Sequence, residues 1–163
     1  MLNEEPGKEA RFIRAHELLE IEKFFGSTAP TGDGSILEVP LISWVAAGKL
    51  AFTNAVVDLD HCERVPVPAL DPAGDWIALQ VKGTSMDRIS PPDSIIIVNR
   101  RDKKLIANAC YVIADEGGAA TYKRYRPSPV RFEPVSVDDS HQTIFPDNEP
   151  NIVGRVRMSI LKM

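Results

Sequence analysis

The sequence predicts a mainly β fold, and three observations carry that prediction. From residue 36 to the C-terminus, short runs rich in β-branched and aromatic residues alternate with turn formers. Only residues 9–25 show a sustained helical spacing of apolar side chains. Between two of the β-rich runs lies Asp115-Glu116-Gly117-Gly118, the composition of a tight hairpin.

In chain order, the helix comes first. Phe12, Ile13, Leu18, Leu19, Ile21, Phe24 and Phe25 recur at roughly helical spacing, and Gly26 suits a C-cap. Up to Pro30 this arm holds four basic residues (Lys8, Arg11, Arg14, Lys23) against six acidic ones (Glu4, Glu5, Glu9, Glu17, Glu20, Glu22). It is neither basic enough nor long enough to form a DNA-binding domain, since fewer than about 40 residues rarely fold unaided. Residues 27–35 are turn formers throughout and read as a linker. Strands are then expected at 36–43, 76–82, 94–98, 109–114, 119–125, 130–134 and 153–161.

With 163 residues the chain accommodates one well-buried domain plus an appendage. Its 44% hydrophobic and 26% charged content excludes a disordered class, and no apolar run approaches the roughly 20 residues needed to span a bilayer. No signal-like apolar segment opens the sequence, so a cytoplasmic location is expected. Cys62 and Cys110 stand far apart outside any CxxC pattern, and His16, His61 and His141 lack ligand spacing. Neither a disulfide framework, a metal site nor any cofactor is expected. A net charge of −4 gives no electrostatic reason for the chain to hold nucleic acid.

Chemistry is suggested by Ser85, in Gly83-Thr84-Ser85-Met86, and by Lys123, in Thr121-Tyr122-Lys123-Arg124. A serine hydroxyl becomes a nucleophile when a nearby base takes its proton, and a desolvated lysine can be that base. At an ordinary pKa of about 10.4, a lysine is neutral at pH 7 only about once in 2,500, a handicap of about 4.6 kcal/mol. Burial lowers lysine pKa values by as much as 3–5 units and can remove it. Ser85 follows the strand expected to end near Lys82, where Gly83 permits close backbone approach. Its own N–H and that of Met86 are the candidate oxyanion donors. The hairpin places Lys123 on the returning strand, with Tyr125 on its face and Tyr122 on the opposite one. Taken singly, Ser85 reads more readily as a surface turn serine and Lys123 as a solvated strand lysine. Upstream, Val45-Ala46-Ala47-Gly48 offers either a small-residue turn or a peptide narrow enough to enter a cleft and be cut. Tethered to the enzyme, such a peptide would react at high effective concentration.

In combination, these segments resemble the family of LexA, UmuD and phage repressors of the lambda CI type, over roughly three quarters of the chain from Val45. The motifs are Ala47-Gly48, Gly83-Thr84-Ser85-Met86 and Thr121-Tyr122-Lys123-Arg124, supported by Pro92-Asp93-Ser94-Ile95-Ile96-Ile97-Val98, Phe132-Glu133-Pro134 and Ile152-Val153-Gly154-Arg155-Val156. The resemblance implies a LexA-like peptidase domain of strongly bent antiparallel sheets, with one short N-terminal helix. It implies Ser85 as nucleophile, Lys123 as general base and cleavage of the Ala47–Gly48 bond. It divides the chain into a helical arm (1–26), a linker with the first strand (27–43), a cleavage-site loop region (44–75) and a peptidase and dimerisation core (76–163). A homodimer is implied, with the strand at 153–161 either its contact or a plain internal strand. So is stimulation by a RecA filament during DNA damage, with DNA contacted only through a helix-turn-helix domain absent from this chain. The departure is the N-terminal arm, which leaves open a LexA/CI-like repressor, a UmuD-like self-processing protein or a non-catalytic dimerisation module. A signal peptidase, which shares the serine–lysine chemistry, is disfavoured because nothing expected here anchors in a membrane.

Overall fold

The computed structural model describes residues 34–52 and 55–163. The helix expected over residues 9–25 and most of the linker lie outside the described residues. The body from Gly34 to Met163 holds eight strands in two antiparallel sheets, as the β-rich composition requires. No described helix is long and apolar enough to cross a membrane.

Strand β1 (Ile36–Pro40) pairs with β2 (Arg64–Pro68) in a two-stranded sheet, Ile36 opposite Pro68 and Pro40 opposite Arg64. The larger sheet comprises β3 (Trp76–Gln80), β4 (Ile95–Asn99), β5 (Cys110–Ala114), β6 (Ala120–Pro127), β7 (Val130–Glu133) and β8 (Asn151–Ile160). Its spatial order is β3-β4-β8-β5-β6-β7. A single helical turn and a half, α1 (Trp44–Lys49), follows β1.

The continuous apolar run in β4 is explained by burial on both faces. Ile96 and Val98 enter one core with Ile77, Leu79, Val112, Tyr122, Met86 and Ala47. Ile95 and Ile97 point the other way, against Val39, Val65 and Val67 of the small sheet. At the far end of that second face Tyr111, Ile113, Tyr125, Phe132 and Ile152 form a third cluster. The six-stranded sheet is thus a middle layer, covered by α1 and the Met86 turn on one side and by two separate clusters on the other.

Two elements were not anticipated. Residues 44–75, expected as a loop region, contain both α1 and β2. Arg64-Val65-Pro66-Val67-Pro68 alternates in burial, but its two prolines disguise the pattern; on an edge strand of a two-stranded sheet their missing N–H groups cost little. The first strand also ends at Pro40, with only a bridge from Leu41 to Ala78 beyond it. The C-terminal strand is internal: β8 lies between β5 and β4, pairing with β5 from Asn151 to Arg155 and with β4 from Arg155 to Ile160.

Phe132 is wholly buried on β7, 5.5 Å from the Tyr125 ring. Phe132→Ala is expected to cost about 3–5 kcal/mol. A guanidinium chloride titration should show it as a lowered midpoint with unchanged slope; a midpoint equal to the parent's would contradict this packing.

Candidate active site

The site is built from two chain segments, β6 and the turn after β3, with a cavity between them. In the β5–β6 ladder, Asp115 N–H bonds Ala119 C=O and Tyr125 N–H bonds Ala109 C=O, so odd-numbered residues of β6 direct their backbone groups to β5. Ala120 and Tyr122 therefore direct theirs to the opposite edge. β7 covers that edge only from Arg124 to Pro127. Beyond Glu133 the chain veers off: Val135 N–H donates to Ser85 C=O at 2.9 Å, and Arg88 N–H donates to Val135 C=O at 3.2 Å. Among the described residues the edge at Ala120 and Tyr122 is left without a strand, facing a cavity of about 230 Å³.

Ser85 lies on the cavity's other wall, with Val81, Lys82, Gly83 and Met86. Met86 plugs its turn into the core, fully buried, and takes the N–H groups of Ile89 and Ser90 on its carbonyl. Among the described residues, neither the Ser85 N–H nor the Met86 N–H donates a hydrogen bond, and Ser85 Oγ has no bonded partner. Two unspent donors beside an unengaged hydroxyl are what acyl transfer requires.

Lys123 is the residue after the three of β6 that line the cavity. It is 7% exposed, and burial alone holds its amine below the ordinary lysine pKa. Among the described residues no carboxylate reaches it. As alternation predicts, Tyr122 enters the core with Met86, while Tyr125 and Tyr111, the latter opposite Lys123 in the ladder, lie in the cluster on the other face. No hydrogen bond joins Lys123 Nζ to Ser85 Oγ in this arrangement. Lys123 is not among the residues that line the cavity with Ser85, and its strand partner Tyr111 lies in the cluster on the other face. The neighbouring titratable groups are not rivals for either role. Burial pushes the Tyr122 phenol to about 12 and the Cys110 thiol upward, keeping both protonated at neutral pH. Cys62 and Cys110 are free thiols.

Ala47 and Gly48 lie on α1, and Ala47 is wholly buried. Ser43 caps the helix by accepting from Ala46 N–H at 3.1 Å, and the Trp44 indole lines the cavity while donating to Gln80 C=O at 2.7 Å. Gly48 presses on the hairpin so closely that an added Cβ would fall 1.8 Å from Gly118 O. The glycine thus serves close packing here. Ala47–Gly48 is beside the cavity, folded as helix.

Residues 40–157 match the family model described as Peptidase S24-like. The chain belongs to this family, the LexA/UmuD/CI-type self-cleaving peptidases. In S24-like terms, the serine and lysine motifs fall on the cavity wall and on the strand bordering it, respectively. Sequence reasoning missed three participants: the open edge of β6, Trp44, and a contact of 2.8 Å between Thr84 Oγ1 and His141 Nε2. Fifty-seven residues separate the last pair, and no local spacing signals it.

The burial of Lys123 has a measurable consequence. Its folded-state pKa is lowered, so below that value the folded protein carries a penalty that is relieved as pH rises towards about 10.4. Lys123→Met should therefore melt higher than the parent at pH 7, with the gap narrowing by pH 10. Equal gaps at both pH values would show a solvated amine.

Proposed function

We propose that this S24-like chain is a self-cleaving serine–lysine peptidase that cuts its own Ala47–Gly48 bond. The observation that carries the proposal is the single cavity shared by Ser85, the open β6 edge and Trp44 of the segment to be cut. An extended peptide adds to an unpaired strand edge through main-chain hydrogen bonds. Unwound from α1, residues 45–49 would lie along Ala120 and Tyr122 with a carbonyl directed at Ser85.

In the proposed reaction Lys123, as neutral amine, takes the Ser85 Oγ proton while Oγ attacks the Ala47 carbonyl carbon. The oxyanion is received by the Ser85 and Met86 N–H groups. The C–N bond then breaks as the Lys123 ammonium returns the proton to the Gly48 nitrogen, leaving Ala47 esterified to Ser85. Water, deprotonated by Lys123, hydrolyses the ester. Because the scissile bond is helical at rest, the observed rate is the chemical rate multiplied by the fraction of chain with α1 unwound.

The same proposal makes the chain the regulatory and dimerising part of a LexA/CI-like repressor, with a RecA filament favouring the unwound state. A second copy would seat on β8, whose edge away from β4 has no paired strand beyond Arg155 among the described residues. A non-catalytic dimerisation module of the same fold is the second reading, favoured by the unbonded Ser85 and Lys123 side chains.

Incubation at alkaline pH is expected to yield fragments 1–47 and 48–163 by mass spectrometry, with a first-order rate independent of protein concentration. Ser85→Ala and Lys123→Ala should abolish them; full cleavage by either variant refutes the assignment, and a silent parent favours the second reading. The rate should rise with pH and level off below the ordinary lysine range. Removing the helix cap by Ser43→Ala costs about 1 kcal/mol of helix and should speed cleavage about fivefold. An unchanged or slower rate would separate α1 unwinding from the reaction.

A further inference from the structure

The turn that carries Ser85 is secured unevenly. On its C-terminal side, Asp87 N–H bonds Thr84 C=O at 3.2 Å, and Ile89 and Ser90 N–H bond Met86 C=O at 2.9 and 2.8 Å. On the N-terminal side, Lys82 and Gly83 make no backbone hydrogen bond among the described residues, and Gly83 has open space around it. The fixed point there is a side-chain contact, Thr84 Oγ1 with His141 Nε2 at 2.8 Å. Thr84 immediately precedes the nucleophile, and its C=O, in the peptide plane that bears the Ser85 N–H, is held by Asp87 N–H, so the His141 contact adds a second hold on the same residue.

His141 ends a loop that grips the same turn at two further points. Val135 exchanges backbone bonds with Ser85 and Arg88, and Val137 N–H donates to Asp87 Oδ1 at 3.0 Å. Within the loop, Asp138 N–H donates to Ser136 Oγ at 3.0 Å and Ser140 N–H to Asp138 Oδ1 at 2.8 Å. Asp138 Oδ2 also stands 4.0 Å from His141 Nε2, so the ring is placed by a segment already ordered. The catalytic motifs leave this histidine unused.

We propose that His141 is a positioning residue for Ser85, acting through Thr84 to fix the aim of the nucleophile and of its N–H; this rests on the self-cleaving reading above. The mechanism is geometric. Without the contact, the approach through Lys82 and Gly83 is held to the turn only by the Asp87 N–H bond to Thr84 C=O, and small misplacements of a reacting atom are costly in rate.

The test uses the full chain and two readouts: the first-order self-cleavage rate, and the rate of Ser85 labelling by a fluorophosphonate, which reports serine reactivity independently of α1. His141→Ala is expected to lower both about tenfold, the effect of losing one hydrogen bond, with little change in melting temperature. His141→Gln, which can still bond the Thr84 hydroxyl, should restore both to within about threefold. Thr84→Val should match His141→Ala, and the double variant should be no slower than either single one, the mark of a shared interaction. Parent-like rates in His141→Ala, no rescue by glutamine, or multiplicative losses in the double variant would overturn the role of His141 while leaving the Ser85 assignment standing. A parent that is neither cleaved nor labelled would overturn both.

Discussion

The interaction on which the site depends is one that is missing: an ammonium carried into the protein interior without a counter-charge. Lys123 is inserted by a strand bound on one side to β5 and anchored further along by β7, and its neighbours in the ladder are aromatic. An unpaired charge in such surroundings is relieved most cheaply by giving up its proton.

The second constraint is a choice between two conformations of one short segment. As α1, residues 44–49 satisfy their amides internally, bury Ala47 and rest Gly48 on the hairpin. As an extended strand they would exchange those bonds for the ones left open at Ala120 and Tyr122. Six residues make a marginal helix in isolation, so its persistence comes from the Ser43 cap and the packing of Ala47.

Much of this was legible in the sequence because strand, turn and hairpin signals are local. The β-rich runs found their strands to within a few residues, and Asp115 to Gly118 placed Lys123 on a returning strand. What escaped depended on pairings across the chain. β2 was hidden because proline is tolerated on an edge the sequence does not announce, and α1 because a small-residue tetrapeptide fits a turn, a substrate or a helix equally well. His141 looked idle since its partner is fixed by how a loop folds back after β7. The open edge of β6 exists only because Val135 turns its amide to Ser85, a property of register that no composition encodes.

On the proposed self-cleaving reading, the modest size of the cavity is accounted for by a substrate that is part of the chain. An enzyme that must capture a free peptide needs binding surface to offset lost translational freedom, and about 230 Å³ with a few main-chain bonds offers little. A tethered peptide has already given up that freedom, so the site needs only to orient it. Weak intrinsic binding is then useful, because a groove that held the extended segment tightly would also pull α1 apart without a signal. On that reading the nucleophile is kept aimed while the substrate is kept mostly elsewhere, and control resides in the unwinding of α1.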